Sequence, residues 1–140
     1  NKSGITNAFV TARRRVIMCD YDGTLVPFVN NPEDAVPSKQ LLNDLRVLAK
    51  SSSNSVWLIS GRDQKFLSTH FRDIPGLGLS AEHGAIVKNP GESWKTLVNL
   101  DDIAKWKPGA QNIMQKWANA TQGTRVEPKE YSLSWHYREA

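Results

Sequence analysis

Apolar residues in the first half of the chain come in short continuous runs, separated by segments in which they recur at helical spacing. Residues 16–19 and 56–59 form the two clearest runs. A run without polar alternation is typical of an interior strand of a parallel sheet, because both faces of such a strand are covered. We therefore predict two parallel strands here, with the first in the interior of the sheet.

Each of these runs is followed by a segment with helical periodicity. Residues 37–50 place leucines on one face, and Ser38 near their start is a favourable N-cap residue. Phe66, Leu67 and Phe71 occupy one side of the segment after the second run. A succession of strand, helix, strand and helix predicts a right-handed parallel unit.

The pattern changes in the second half of the chain. Residues 77–81 and 85–87 read as a third and a fourth strand, and residues 94–98 could pair with the fourth as a hairpin. A helix is predicted from about residue 105, with strands from Gly123 onward. In the last strand Leu133, Trp135 and Tyr137 alternate with polar residues, so we expect these three to face a core.

Charge and composition narrow the possible partners. The net charge is +4, from 18 basic and 14 acidic residues, but the basic residues are scattered except at residues 13–15. We therefore expect no nucleic-acid binding, and the modest positive field suits a small anionic substrate. No apolar run reaches the roughly 18 residues of a membrane span. A single cysteine, Cys19, fits a small core residue in a reducing, cytoplasmic setting.

Polar residues follow both predicted parallel strands. Asp20 and Asp22 come after the first strand, and Ser60 and Arg62 come after the second. Because ligands of parallel sheets bind beyond the carboxyl ends of the strands, these groups should meet at one edge. Gly23 would allow the chain to turn there. A calcium loop is excluded by the residues that follow, whereas a solvated turn stays open for the Asp-x-Asp-Gly pattern taken alone.

Four sequence blocks in order carry a resemblance that extends over nearly the whole chain: residues 20–25, 59–62, 81–84 and 126–138. They resemble the haloacid dehalogenase-like phosphatases and, within them, the trehalose-6-phosphate phosphatases. The resemblance implies an α/β fold with a Rossmann-like parallel sheet core and the beginning of an inserted α+β cap. It assigns residues 1–104 to the first part of the core domain and residues 105–140 to the start of the cap.

The same resemblance implies roles for the two acids. Asp20 would be the nucleophile that forms an aspartyl-phosphate, and Asp22 the general acid and base. Both would contribute to a Mg²⁺ site, Asp20 with its carboxylate and Asp22 with its backbone carbonyl.

Other residues would hold the substrate. Ser60 and Gly61 would bind the phosphoryl group, although Ser60 could instead cap the following helix. Arg62, His83, Glu127 and Lys129 would contact the rest of the substrate. By spacing alone, Glu127 and Lys129 would be a surface ion pair, and a lone histidine such as His83 is more often structural.

The implied activity is hydrolysis of trehalose 6-phosphate to trehalose and phosphate, as a step of trehalose biosynthesis. Two alternatives stay open: a phosphatase for another sugar phosphate, such as sucrose phosphate, and a non-catalytic domain of a trehalose synthase complex. A trehalose-phosphate synthase domain or subunit is the implied partner. The family also uses a lysine and further acids that have no counterpart before Ala140, so we expect the chain to be incomplete after residue 140 and inactive by itself.

Overall fold

The structure is a computed structural model that describes residues 2–29 and 32–140. Helices and strands alternate through most of these residues. Their bounds are α1 Lys2–Thr11, β1 Arg15–Asp20, α2 Lys39–Lys50, β2 Asn54–Ile59, α3 Gln64–Phe71, β3 Leu77–Ala81, β4 Ile86–Lys88, β5 Trp94–Thr96, α4 Leu100–Ala120, β6 Arg125–Pro128 and β7 Leu133–His136.

The main sheet has the strand order β1-β2-β3-β4-β5. Strands β1, β2 and β3 are parallel, whereas β4 and β5 are antiparallel additions that form a hairpin with each other. The predicted parallel unit and the predicted hairpin are therefore confirmed. Strands β6 and β7 form a separate antiparallel pair.

Strand β1 does not lie in the interior of the sheet of the described residues. It is the first strand in the order and pairs only with β2. Val16 and Met18, on the same face of β1, are each 65% exposed. An apolar run does not reveal whether a strand has a second neighbour, and the prediction of an interior strand stays a prediction.

Helices α2 and α3 pack on the main sheet and enclose a core of aliphatic and aromatic side chains around Leu58, Leu79 and Phe71. Ser38 caps α2 as predicted, because its hydroxyl accepts a 3.1 Å bond from the Leu41 N–H. Asp63 caps α3 by accepting a 2.7 Å bond from the Phe66 N–H. Ser60 is therefore not the cap of this helix.

Helix α4 begins at Leu100, five residues before the helix predicted from the sequence. The boundary predicted between residues 104 and 105 falls inside this helix, and the division into core and cap stays a prediction. The β6–β7 hairpin packs against α4. Trp135 is 41% and Tyr137 70% exposed, so within the described residues the expected core face is not formed: the hairpin and α4 leave both side chains uncovered.

None of the helices in residues 2–29 and 32–140 is long and apolar enough to cross a membrane.

Candidate active site

The carboxyl ends of β1 and β2 meet at one edge of the main sheet. Asp20 is in register with Ile59, which places Asp20 beside Ser60 at the start of the next loop. The predicted site residues share one cleft of about 630 Å³, except for Ser60, which lines a smaller adjoining cavity with Asp20, Gly61 and His83. The larger cleft is lined by Asp20, Asp22, Gly61, Arg62, His83, Glu127 and Lys129, among others.

The turn after β1 is fixed by its own backbone. The Leu25 and Val26 N–H groups donate to the Tyr21 carbonyl at 3.0 and 3.1 Å, and the Gly23 N–H donates to Val26 at 2.8 Å. Gly23 has φ +82°, and a Cβ there would lie 2.3 Å from the ring of Phe28. Glycine is therefore required both for the turn and for the close approach of Phe28.

Asp22 forms a bidentate ion pair with Arg62. The guanidinium donates from Nε to Oδ2 at 2.9 Å and from Nη2 to Oδ1 at 2.6 Å, and the Arg62 side chain is only 12% exposed. Burial alone would lower the pKa of Arg62, but the hydrogen bonds and negative charge of Asp22 outweigh it, so this pKa is raised. Arg62 also lies over the ring of Phe66 at 4.5 Å. Each oxygen of the Asp22 carboxylate thus accepts one bond from Arg62.

Tyr21, between the two acids in sequence, belongs to the core rather than to the cleft. Its side chain is fully buried and its hydroxyl donates to the Ala35 carbonyl. Burial raises the pKa of Tyr21 to about 12. The positive charge of Arg62 lowers this pKa and the negative charge of Asp22 raises it, both by less than burial does. The two acids are therefore carried on a turn that is anchored in the core.

The loop of residues 60–62, which we name the phosphate loop after its predicted ligand, has all three of its carbonyl oxygens occupied by donors from other segments. Ser60 accepts from the His83 N–H at 3.0 Å and Arg62 from the Glu82 N–H at 2.9 Å. Gly61 accepts from Lys129 Nζ at 2.7 Å. Such bonding holds the carbonyl dipoles away from an anionic ligand, which suits a phosphate site.

Ser60 and His83 support the same loop. The buried Ser60 hydroxyl accepts a 3.1 Å bond from the Arg62 N–H, and its own proton stays available as a donor. His83 lies against Gly61, where an added Cβ would be 2.6 Å from the imidazole. A residue with a side chain at position 61 would displace that ring.

The β6–β7 hairpin brings a charged cluster to the opposite side of the cleft. Glu127 Oε2 lies 2.7 Å from His136 Nε2 and 3.8 Å from Lys129 Nζ. The Lys129 side chain is 11% exposed. Glu127 and Lys129 are therefore not the solvated surface pair that spacing alone suggested, because Lys129 is buried against the phosphate loop.

Sequence reasoning missed three contributors to this arrangement. Glu82 is 4% exposed, and its carboxylate binds the turn of residues 129–132. His136 bonds to Glu127, and Arg138 stacks over the Phe28 ring at 4.4 Å across the cleft. Glu82 follows directly after the small and apolar residues that dominate β3, and a charged residue at that point was the available signal. The other two contacts have no local signal.

The residues at the strand edge fit a Mg²⁺ ion in part. The Asp20 carboxylate is exposed to the cleft, and oxygen donors of this kind suit a hard divalent cation. Within residues 2–29 and 32–140, no group of three or more His, Cys, Asp or Glu side chains could hold a metal ion. The Asp20 carboxylate thus fits such an ion, without a cluster of three ligating side chains around it in the described residues.

Solved structures of known proteins show which class of fold this chain has. The fold is that of the haloacid dehalogenase-like hydrolases: a member from B. subtilis, 22% identical, superimposes with a TM-score of 0.52 over 80% of this chain and 36% of its own. The Candida albicans trehalose-6-phosphate phosphatase C-terminal domain is much closer. It is 38% identical with a TM-score of 0.89, over 99% of this chain and 48% of that domain.

The particular family follows from the sequence comparisons. The trehalose-phosphatase family model matches residues 18–140, so this chain belongs to that family. A trehalose-phosphatase of Schizosaccharomyces pombe is 47% identical over 96% of this chain. A bifunctional trehalose-6-phosphate synthase/phosphatase of Thermoproteus tenax is 42% identical over 94%. The chain spans only 16% and 18%, respectively, of these two relatives.

Proposed function

We propose that this chain carries the nucleophile and the proton-transfer residue of a phosphatase that hydrolyses trehalose 6-phosphate in trehalose biosynthesis. One observation carries the proposal. In a member of the trehalose-phosphatase family, two strand-end acids, the phosphate loop and a charged hairpin cluster face each other across one cleft of about 630 Å³. That size lies in the ordinary range for small-molecule sites.

Asp20 is the proposed nucleophile that attacks phosphorus. Its carboxylate is exposed to the cleft, and its only described side-chain contact is a long 3.4 Å bond from the Thr24 hydroxyl. A bond forms from the Asp20 oxygen to phosphorus while the bond from phosphorus to the sugar oxygen breaks. Water then attacks the aspartyl-phosphate, which releases inorganic phosphate and restores the carboxylate.

Asp22 is the candidate for both proton transfers. As an acid it donates a proton to the departing sugar oxygen, and as a base it then takes one from the attacking water. Both of its oxygens accept a bond from Arg62, but each keeps a further lone pair at which a proton can be held. Arg62 also lines the cleft, and its guanidinium is the proposed contact for an oxygen of the substrate.

Mg²⁺ is the proposed cofactor. It would neutralise the repulsion between the Asp20 carboxylate and the phosphate dianion. The Asp20 carboxylate and the Asp22 backbone carbonyl are the ligands that this chain would contribute. The Ser60 hydroxyl and the Gly61 backbone would bind the phosphoryl oxygens.

The sugar is proposed to lie toward the hairpin. His83, Glu127 and Lys129 line the cleft beyond the phosphate loop, and charged groups of this kind can bond to sugar hydroxyls. A trehalose-phosphate synthase domain or subunit is the proposed partner, supported by the bifunctional relative. The half-buried single cysteine supports a cytoplasmic setting.

Phosphate release from the intact protein that carries this sequence tests the proposal. With Mg²⁺ present, trehalose 6-phosphate should be hydrolysed far faster than sucrose 6-phosphate, and EDTA should abolish the reaction. A preference for sucrose 6-phosphate would indicate a different sugar-phosphate phosphatase. Binding of trehalose 6-phosphate without hydrolysis would indicate a non-catalytic domain. Residues 1–140 assayed by themselves should be inactive, because they supply too few metal ligands.

A further inference from the structure

The turn of residues 129–132, between β6 and β7, is bound by one buried carboxylate, that of Glu82. Glu82 Oε1 accepts from the Glu130 N–H at 3.1 Å. Glu82 Oε2 accepts from the Tyr131 N–H at 2.9 Å and from the Ser132 hydroxyl at 2.8 Å. Because no ion pair to Glu82 is present in the described residues, these three donors are what offsets the cost of burying its charge.

Two further contacts fix the same turn. Lys107 on α4 donates from Nζ to the backbone carbonyls of Lys129 and Glu130. Tyr131 is 7% exposed in the core, with its hydroxyl 3.3 Å from Thr96 Oγ1 on β5. The turn is therefore the point at which the hairpin is docked on the sheet.

The backbone at Glu82 is strained. Glu82 has φ 45° and the next residue, His83, has φ 58°, a region that costs a residue with a side chain free energy. This conformation is kept by bonds from the Glu82 and His83 N–H groups to the phosphate loop. Glu82 is thus bonded on its backbone side to the phosphate loop and on its side-chain side to the hairpin.

We propose that Glu82 is a positioning residue that anchors the β6–β7 turn and thereby places Lys129 in the cleft. The proposal rests on the proposed function for its effect on the substrate, but its structural part stands on the three bonds above. Lys129 directly precedes the first anchored residue, and its Nζ reaches the phosphate loop at Gly61 O. Loss of the anchor should therefore release Lys129 from the loop while β1 and β2 keep the Asp20 site.

The first test is the E82Q substitution in the intact protein, with E130Q as the matched control. Gln keeps the size of Glu82 but turns an amide donor toward the backbone donors of the turn, so at least one of the three bonds is lost. The exposed Glu130 side chain loses the same charge without touching those bonds. For E82Q we expect kcat/KM for trehalose 6-phosphate to fall roughly 10- to 100-fold, and for a small aryl phosphate less than about threefold. E130Q should change neither.

A double substitution separates positioning from general stability. If Glu82 acts through Lys129, then E82Q introduced into a K129A protein should lower hydrolysis of trehalose 6-phosphate by no more than about a further threefold. A full additional loss in that background, or an equal loss on both substrates for E82Q alone, would overturn the proposal. If E82Q does not fold, S132A removes one of the three bonds and should give a smaller loss with the same substrate pattern.

Hydrogen exchange tests the anchor without any activity. In E82Q the amides of Glu130 and Tyr131 should exchange faster, with the amides of β1, β2 and β3 unchanged. Unchanged exchange at residues 130 and 131 would show that Glu82 is not the anchor. If the wild-type protein hydrolysed neither substrate, the proposed function would fail while this measurement still decided the role of Glu82.

Discussion

The two sides of the cleft are built in different ways. On the strand side, Asp20 and the phosphate loop are placed by parallel pairing of β1 with β2 and by backbone bonds within the turn after β1. On the hairpin side, Glu127 and Lys129 are placed by side-chain bonds to distant segments. The groups proposed to react therefore lie on a scaffold of main-chain bonds, and the groups proposed to select the sugar lie on an element attached by a few side chains.

This difference has an energetic basis. A two-stranded hairpin is marginal by itself and needs packing against another element. The strand side, by contrast, continues into a core in which Tyr21, Leu58 and Phe71 are almost completely buried. We therefore expect substitutions on the strand side to abolish the reaction or unfold the core, and substitutions on the hairpin side to change substrate preference.

The largest effect is expected for Asp20→Asn in the intact protein. Asn keeps the size of the side chain but removes the nucleophile, so hydrolysis should fall by about 10³-fold or more for every substrate. The melting temperature should hardly change, because Asp20 is exposed. Phosphate release and thermal melting, with the exposed Asp44→Asn as control, check this. Retained hydrolysis in Asp20→Asn would remove the strand side from the reaction.

Asp22→Asn should be nearly as inactive, with a loss of about 10²- to 10⁴-fold on both substrates. Unlike Asp20→Asn, it should also lower stability by roughly 1–3 kcal/mol, because the buried Arg62 loses its partner. A phosphoryl adduct on Asp20, found by intact-mass spectrometry after incubation with substrate, would support the proposed order of steps. Normal turnover would rule out Asp22 as the proton-transfer residue.

The strand side of the cleft could be predicted from the sequence better than the hairpin side, and the reason is physical. The strand side could be predicted because it depends on neighbours in sequence: an apolar run, two acids and a glycine within residues 16–23. The hairpin side depends on contacts between residues far apart, such as Glu82 with Ser132 and Gly61 with Lys129. Spacing within one strand carries no information about such contacts.

The same limit applies to the expectations that the described residues do not bear out. The exposed face of β1 and the exposed Trp135 are both set by which elements lie beside a strand, not by the strand itself. The ion pair of Asp22 with Arg62 links two blocks that were each recognised, yet their bidentate contact was not foreseen. Family resemblance predicted residues that lie together at one cleft, but it did not supply the bonds between them.

Two glycine substitutions sharpen the claim that the strand-side turn is rigid. Gly23 and Gly91 have similar positive φ values of +82° and +76°, but only at Gly23 would a Cβ meet another group, the Phe28 ring. Gly91→Ala should cost about 1 kcal/mol from backbone strain, and Gly23→Ala roughly 1–3 kcal/mol more from the clash. Denaturant unfolding of both variants measures the difference. Equal costs would mean that Phe28 moves away freely.

The smallest effect concerns the buried phenol on the strand side. Burial raises the pKa of Tyr21 to about 12 from an ordinary value of 10, so the unfolded chain loses this proton first. The stability from protonated Tyr21 is fully present below pH 10 and is lost as the pH rises toward 12, by about 1 kcal/mol at pH 11. Unfolding between pH 9 and pH 11 should show this loss in wild type and a smaller one in Tyr21→Phe. Identical pH dependence would contradict it.

The central claim is that the strand side reacts and the hairpin side selects the sugar. The ratio of kcat/KM for trehalose 6-phosphate to kcat/KM for a small aryl phosphate tests it most directly. Glu127→Ala, Lys129→Ala and the control Glu130→Ala would each be assayed on trehalose 6-phosphate and on a small aryl phosphate. Each charged hydrogen bond to the sugar that is lost should lower kcat/KM for trehalose 6-phosphate by about 10- to 150-fold. The value for the aryl phosphate should hardly change, and Glu130→Ala should show no loss on either substrate. Equal losses on both substrates, or no loss on either, would contradict the division.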